Sequence, residues 1–246
     1  MERHIEEMSM NAWPALQTMV YDGWILRFSK GYTKRANSVN PIYESSENPE
    51  KKILMCEELY KSQGLNTVFK MTSESHPEGL DDMLSQKGYN DEAYTSVQVA
   101  VLNKFEGIIP KNIVVYNSLN EKWLEQISCL SDVKEADEET LKRMISRIIT
   151  EKFFVELKLE GRTAGCGMGV LQGDYLGIFD IIIDSGDRCK GYGKALVDSM
   201  LSIGKAKGAK YAYLQVLLDN EPALKLYSSL GFKEVYKYWY RVKRNM

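Results

Sequence analysis

The chain has 246 residues, enough for one large domain or two of ordinary size. Hydrophobic residues make up 44% and charged residues 27%, so it can bury a core and is not a disordered segment. A net charge of −2 without a basic arm argues against a nucleic-acid partner, and no apolar run is long enough to span a bilayer. The acidic, polar start (Met1-Glu2-Arg3-His4-Ile5-Glu6-Glu7) is unlike a signal peptide. Cys56, Cys129, Cys166 and Cys189 stand apart without metal-ligand spacing. The expectation is a cytoplasmic protein with reduced thiols, no metal site and no membrane partner. His4 and His76 are the only histidines, which makes a His-rich zinc site or a Ser-His-Asp triad a poor fit.

In chain order, residues 6–20 carry Met8, Ala12, Ala15, Leu16 and Val20 at helical spacing, with Pro14 bending or starting the helix. Residues 24–28 and 32–39, joined through Ser29-Lys30-Gly31, read as a hairpin. A helix over 50–63, a strand over 67–71, a helix over 77–86 and a strand over 93–102 follow. Residues 103–112, with Gly107 and Pro110, read as the linker. Beyond it come a strand over 113–116 and helices over 120–130 and 137–149. Strands over 153–159, 163–171 and 175–184 follow, then a helix from 193 to 207, a strand over 211–218, a helix over 221–230 and a last strand over 235–242. Gly165, Gly167 and Gly169 share one strand face, so a helix, an acyl chain or an acceptor approaches closely there.

The stretch Ile181-Ile182-Ile183-Asp184-Ser185-Gly186-Asp187-Arg188-Cys189-Lys190-Gly191-Tyr192-Gly193-Lys194 runs from a buried strand through a glycine-relieved loop into a helix. Main-chain N–H groups of a first helical turn lack internal partners, and the helix dipole favours an anion before them. Lys190 and Lys194 add positive charge. The spacing fits neither a dinucleotide fingerprint, whose third glycine would fall at Leu196, nor a P-loop. What remains, Arg188 to Gly193, is Arg-x-x-Gly-x-Gly. It resembles the acyl-coenzyme A loop of the GNAT acetyltransferase superfamily.

Residues 220–232, from Asn220 through Tyr227 to Leu230-Gly231-Phe232, are similar to the second signature of that family. The resemblance covers about residues 112–243. It implies that Asn220 contacts the pantetheine or pyrophosphate region and that the Tyr227 hydroxyl lies near the thioester sulfur. It also implies that Ile181 and Ile183 present main-chain groups to the pantetheine arm, and that residues 188–194 (Arg188, Cys189, Lys190, Gly191, Tyr192, Gly193 and Lys194) hold the diphosphate. Tyr227 is two helical turns from Asn220, and a phenol placed at the sulfur can protonate the departing thiolate. Many family members carry Glu or His nine or eleven residues before the cradle arginine, where this chain has Phe179 and Gly177. Asp180 is adjacent but faces the opposite side unless the strand bulges. Asp180, a water relay and a group from the first half of the chain remain open as the base.

The halves are related. An offset of 143 residues superposes the strand at 67–71, the helix at 80–86 and the strand at 93–99 on 210–214, 223–229 and 236–242. It also places Ser45, Asn48 and Glu50 where Arg188, Gly191 and Gly193 stand, so the first copy has lost the cofactor residues. The expectation is an α+β (mixed α/β) protein of two GNAT-like domains, each a mixed, mostly antiparallel sheet flanked by helices. Residues 1–105 form the degenerate copy and 106–246 the catalytic one. The resemblance implies transfer of an acetyl group from acetyl-coenzyme A to a primary amine of a small molecule or peptide, in a ternary complex. Trp24, Arg27, Arg35 and Asn37, with Tyr236, Tyr238 and Tyr240, are candidates for lining an acceptor pocket. A non-catalytic coenzyme A-binding sensor or scaffold, a longer-chain acyltransferase, and self-association as a homodimer stay open.

Overall fold

The computed structural model describes residues 1–103, 105–131 and 133–244; Lys104, within the expected linker, lies outside them. The first half of the chain forms α1 (Glu2–Ala12), β1 (Gln17–Tyr21), β2 (Trp24–Phe28), β3 (Val39–Asn40), α2 (Pro49–Ser62), β4 (Thr67–Thr72), α3 (Leu80–Gln86) and β5 (Asn90–Val101). The second half forms β6 (Ile113–Tyr116), α4 (Glu121–Leu130), α5 (Glu135–Ser146), β7 (Lys152–Leu159), β8 (Arg162–Gln172), β9 (Tyr175–Ile183), α6 (Tyr192–Ala206), β10 (Tyr211–Leu217), α7 (Glu221–Ser229) and β11 (Lys233–Lys243). By contacts the chain divides into two compact units, one of residues 1–96 with 236–246, the other Val97–Val235. The sequence reading drew a single divide after residue 105; the contacts instead give each unit the end of the other half's last strand.

In the first unit the strand order is β1-β2-β3-β4-β11. β1 and β2 pair antiparallel from Gln17↔Phe28 to Tyr21↔Trp24. Their two-residue turn, Asp22-Gly23, has φ of 42° and 82°, as a primed turn requires. This hairpin corrects the expected helix over 6–20: α1 stops at Ala12, and residues 17–21 are claimed by strand pairing. The expected partner at 32–39 shrinks to the two residues of β3, which lie parallel to β4 at Val39↔Phe69. α2 begins where Asn48 accepts from the N–H groups of Glu50 (2.9 Å) and Lys51 (3.2 Å), with Pro49 at the first helical position. Trp24, Leu26, Ile53, Tyr60, Phe69 and Leu84 form its core. β11 completes this unit, antiparallel to β4 from Tyr238↔Thr72 to Lys243↔Thr67.

In the second unit the order is β6-β7-β8-β9-β10. It is antiparallel through β9 and parallel between β9 and β10. Residues 97–101 of β5 belong to this unit, and the N–H of Leu102 just beyond donates to Lys210 O at 2.8 Å. α6 buries Leu196, Val197, Met200, Leu201 and Ile203 against Phe153, Val155, Leu157 and Ile178. On α4, Trp123 packs on Phe154 at 4.7 Å between ring centroids and donates from Nε1 to Val155 O at 3.1 Å. The two units share a plan: α2 and α6 start at 49 and 192, and β4, α3 and β5 recur near the same offset as β10, α7 and β11.

Arg241 on β11 donates to both carboxylate oxygens of Asp81 at 2.9 and 2.6 Å, and this pairing, first among its causes, lowers the Asp81 pKa. A depressed carboxylate stabilises the fold above its unfolded pKa and ceases to as pH falls through its folded value. Arg241→Ala is therefore expected to cost about 1 kcal/mol at neutral pH, allowing for the partial exposure of Asp81. The gap to wild type should narrow below about pH 4. Urea melts across pH check this; a gap unchanged down to pH 2 contradicts it.

Candidate functional site

All the main site elements lie in the second unit. After Ile183 the chain leaves the sheet. Asp184 accepts from the N–H of Gly186 at 2.9 Å, a one-turn 3₁₀ segment spans Ser185–Asp187, and α6 starts after Gly191. Cys189 and Gly191 take left-handed φ of 61° and 83°. Gly191 has open space where a Cβ would project, so its conformation, not crowding, calls for glycine. At Gly193 a Cβ would lie 3.1 Å from Leu226 Cδ1 and 3.7 Å from Ile183 Cγ1. That glycine lets the first turn of α6 approach both β9 and α7. The main-chain N–H groups of residues 189–194 donate to no acceptor among the described residues. No side chain caps α6 either. These donors fit an anion.

The charged side chains are shared out less simply than their spacing suggests. Asp187 is buried and accepts from Arg162 at 2.5 Å and Lys190 at 3.1 Å. Arg162 first and Lys190 second hold its carboxyl below the usual range. Arg188 donates from Nε to Ile183 O at 3.2 Å. Lys194 is exposed and pairs with no described carboxylate within ion-pair distance. The Arg162–Asp187 brace was missed in the sequence, because the two residues lie on separate turns.

β9 parts from its parallel neighbour. Its register with β10 runs only from Tyr175↔Tyr211 to Gly177↔Tyr213, although both remain strands for several residues more. Beyond Gly177 no pairing joins β9 to β10 among the described residues, and Ile181 and Ile183 lie in that stretch. β9 also bulges. Phe179 pairs with Met168 and Ile182 with Cys166, so Asp180 and Ile181 together oppose Gly167. Asp180 absorbs the extra residue with φ of 52°. Ile181 turns to the α6 face, where its Cδ1 would be 2.7 Å from a Cβ on Gly167. The bulge is the condition on which Asp180 can share a face with Phe179. Burial above all, then the Glu156 carboxylate and, more weakly, Asp180 push the Cys166 thiol up. At the two positions where the resemblance would place Glu or His, the chain has Gly177 and Phe179. Phe179 packs edge-on to Tyr213 at 6.0 Å, and both crowd the Cβ position of Gly177.

α7 supplies the other wall. Asn220 accepts from Ala223 N–H at 3.3 Å, which caps α7 and fixes where its first turn begins. Tyr227 is half-buried and packs edge-on to Phe232 at 5.9 Å. Its hydroxyl bonds to no described residue, and burial pushes its pKa up to about 12, so the phenol keeps its proton at neutral pH.

Other expectations need correction. Trp24 is fully buried and donates to His76 O at 2.9 Å. Arg27 is buried, donating to the carbonyls of Arg35 (2.5 Å), Met10 (3.3 Å) and Trp13. Asn37 accepts from the N–H groups of Ser29 (2.6 Å) and Gly31 (3.0 Å) and donates to Thr33 O at 2.8 Å. The Arg35 guanidinium sits 5.2 Å from the Trp13 ring. Tyr236, Tyr238 and Tyr240 are buried as well. These contacts brace the first unit and bury each of these side chains except Arg35, which is half-buried. The alternate glycines leave no room for an acyl chain. A Cβ on Gly165 would meet Ile183 and one on Gly167 would meet Ile181 and Met200, while Gly169 lies against the Phe153 ring.

Comparison with known proteins agrees with this geometry. A family model described as probable histone acetyltransferase Rv0428c C-terminal matches residues 2–241. YobR of Bacillus subtilis, an uncharacterized N-acetyltransferase, is 29% identical over 248 residues, covering 98% of each chain. MJ1207 of Methanocaldococcus jannaschii, also an uncharacterized N-acetyltransferase, is 39% identical over 70 residues, 27% of this chain and 31% of that one. Among solved structures, a GCN5-related N-acetyltransferase from Kribbella flavida superposes with a TM-score of 0.72 at 11% identity, over 99% of this chain and 96% of that one. A tandem GNAT protein from the clavulanic acid biosynthesis pathway gives 0.62 at 10% identity, over 98% and 88%. With a family model spanning nearly its whole length, and a fold shared with those GNAT structures, the chain belongs to the Rv0428c C-terminal acetyltransferase family.

Proposed function

We propose that the second unit transfers an acetyl group from acetyl-coenzyme A to a primary amine, and that the first unit is a GNAT-like copy without a cofactor site. The observation that carries this reading is the row of unbonded N–H donors at 189–194, beside the opened seam of β9 and the Tyr227 hydroxyl. The donors of Cys189 to Lys194 would hold the diphosphate, with Arg188 and Lys194 adding charge. Main-chain groups of Ile181 and Ile183 would pair with the amides of the pantetheine arm, as an added strand does. The side chain of Asn220, at the start of α7, would contact the pantetheine or pyrophosphate region, as the resemblance implies. Bound acetyl-coenzyme A supplies an activated thioester carbonyl.

The residues then manage protons. As the amine nitrogen bonds to the carbonyl carbon and the carbon–sulfur bond breaks, the sulfur needs a proton and the nitrogen must lose one. Tyr227, kept protonated by its burial, donates to the sulfur. Asp180, placed at the bulge, accepts the proton from the amine directly or through water. Acetyl rather than a longer chain is favoured because the glycine face of β8 is filled by Ile181, Ile183 and Phe153. A coenzyme A sensor without turnover is the second reading, favoured by Phe179 and Gly177 at the positions where many family members carry Glu or His. Release of free thiol from acetyl-coenzyme A with a panel of amines, amino acids and lysine-containing peptides supports the enzyme; tight binding without thiol release supports the sensor.

Tyr227→Phe is expected to lower kcat about 100-fold while leaving the Kd for acetyl-coenzyme A nearly unchanged; full turnover at every pH contradicts the donor role. Asp180→Asn should lower kcat/KM by at least about 10-fold; an unchanged kcat/KM assigns the proton to another group. Gly191→Val forces a β-branched residue into φ near 83°, turning the donors away from the ligand. Calorimetry should then show coenzyme A binding weakened at least about 10-fold.

A further inference from the structure

In the first unit, the loop leading into α2 stands in the place of the cradle. Counting back from the two helix starts, Pro49 and Tyr192, Ser46 corresponds to Cys189 and Glu47 to Lys190. In the second unit those two N–H groups are unbonded. In the first they hold a carboxylate belonging to the chain itself. Asp22, at the β1–β2 turn, accepts from Ser46 N–H at 3.1 and 3.0 Å and from Glu47 N–H at 2.8 Å. The hydroxyls of Ser45 and Ser46 add bonds of 2.8 Å each. Lys52, fully buried one turn into α2, closes the group: its Nζ donates to Asp22 O at 2.5 Å, Asp22 Oδ2 at 3.1 Å and Ser45 Oγ at 2.6 Å, and lies 4.1 Å from the Trp24 ring centroid.

We propose that the first unit carries an anion-binding loop whose ligand is the Asp22 carboxylate, so that it is closed to coenzyme A by occupation as well as by loss of residues. Two main-chain donors, two hydroxyls and one ammonium converge on one carboxylate, which is the equipment of an anion site rather than of an ordinary turn. The Glu47 and Ser46 donors, in that order, lower the Asp22 pKa. The left-handed φ of Asp22, 42°, aims its side chain back at the loop, and Gly23 admits the carbonyl of Glu44, which a Cβ would displace. Without Asp22, the buried ammonium of Lys52 loses its hydrogen-bonded carboxylate and keeps only the longer-range attraction of Glu47, so a small anion from solution can take the vacated place. Such an anion would be small and singly charged, of the formate or acetate class, because Glu47 and Glu50 flank the loop and Pro49 withholds a donor. The likeness of the two loops is the only link between this inference and the proposed activity.

The test is thermal melting of the whole chain in formate and in chloride at matched ionic strength. Asp22→Ala is expected to melt roughly 5–10 °C below wild type in chloride, since it leaves a buried charge uncompensated. Formate should restore at least half of that loss and leave wild type unmoved. Asp22→Asn, which fills the same space without the charge, should melt low and not respond to formate. Equal melting of Asp22→Ala and wild type, or an equal response of both to formate, overturns the proposal. Should Asp22→Ala fail to fold, the amide protons of Ser46 and Glu47 in Asp22→Asn decide: upfield shifts are expected, and unchanged shifts overturn it. Neither readout involves acetyl transfer, so a failure here is separate from a failure of the proposed activity.

Discussion

Main-chain N–H groups that a fold leaves without an internal acceptor at a helix start are met by water or by a ligand, and the helix dipole there favours an anion. At the start of α6, residues 189–194, exposed or half-buried, offer a row of donors for which the described residues offer no acceptor. Much of the second unit's geometry follows from keeping this row open. Gly191 takes the left-handed turn into the helix, and Gly193 lets the first turn come up against Ile183 and Leu226. Asp187, locked by Arg162 and Lys190, fixes the loop from below without filling the cradle.

The seam beside it has a backbone origin. A parallel pair that stays in register cannot admit a ligand between its strands. β9 and β10 keep register for only three residues before each continues alone. The bulge at Asp180 and Ile181 sits in the parted segment and sends neighbouring side chains to opposite faces, with Ile181 toward α6. The parting from β10 and the bulge against β8 thus fall in the same few residues of β9. The first unit repeats the plan with the outcome reversed: its loop donors meet Asp22, and its third strand is only two residues long.

Local patterns were legible in the sequence where a single stretch carried them. The Arg-x-x-Gly-x-Gly loop, the capped helix from Asn220 through Tyr227, and most strand and helix positions fall within a few residues of their expected bounds. Residues 17–21 were misread because Ala15, Leu16 and Val20 keep helical spacing with α1; what makes them a strand is a partner at 24–28 and a turn at Asp22-Gly23. Trp24, Arg27 and Asn37 were read as ligand contacts because polar and aromatic residues on a hairpin suit a pocket. Their partners, the carbonyls of Met10, Trp13 and His76 and the N–H groups of Ser29 and Gly31, come from loops no local pattern predicts. The placement of residues 236–246 with the first unit was hidden for the same reason, since strand pairing across the length of the chain leaves no local mark.

The most direct test is to follow backbone amide resonances while coenzyme A is added to the intact protein. The account predicts that the amide protons of Cys189 to Lys194 move downfield at saturation, as charge-assisted bonds to a diphosphate require, while those of Ser46 and Glu47 stay where they are. Resonances of residues 189–194 that do not move would contradict it.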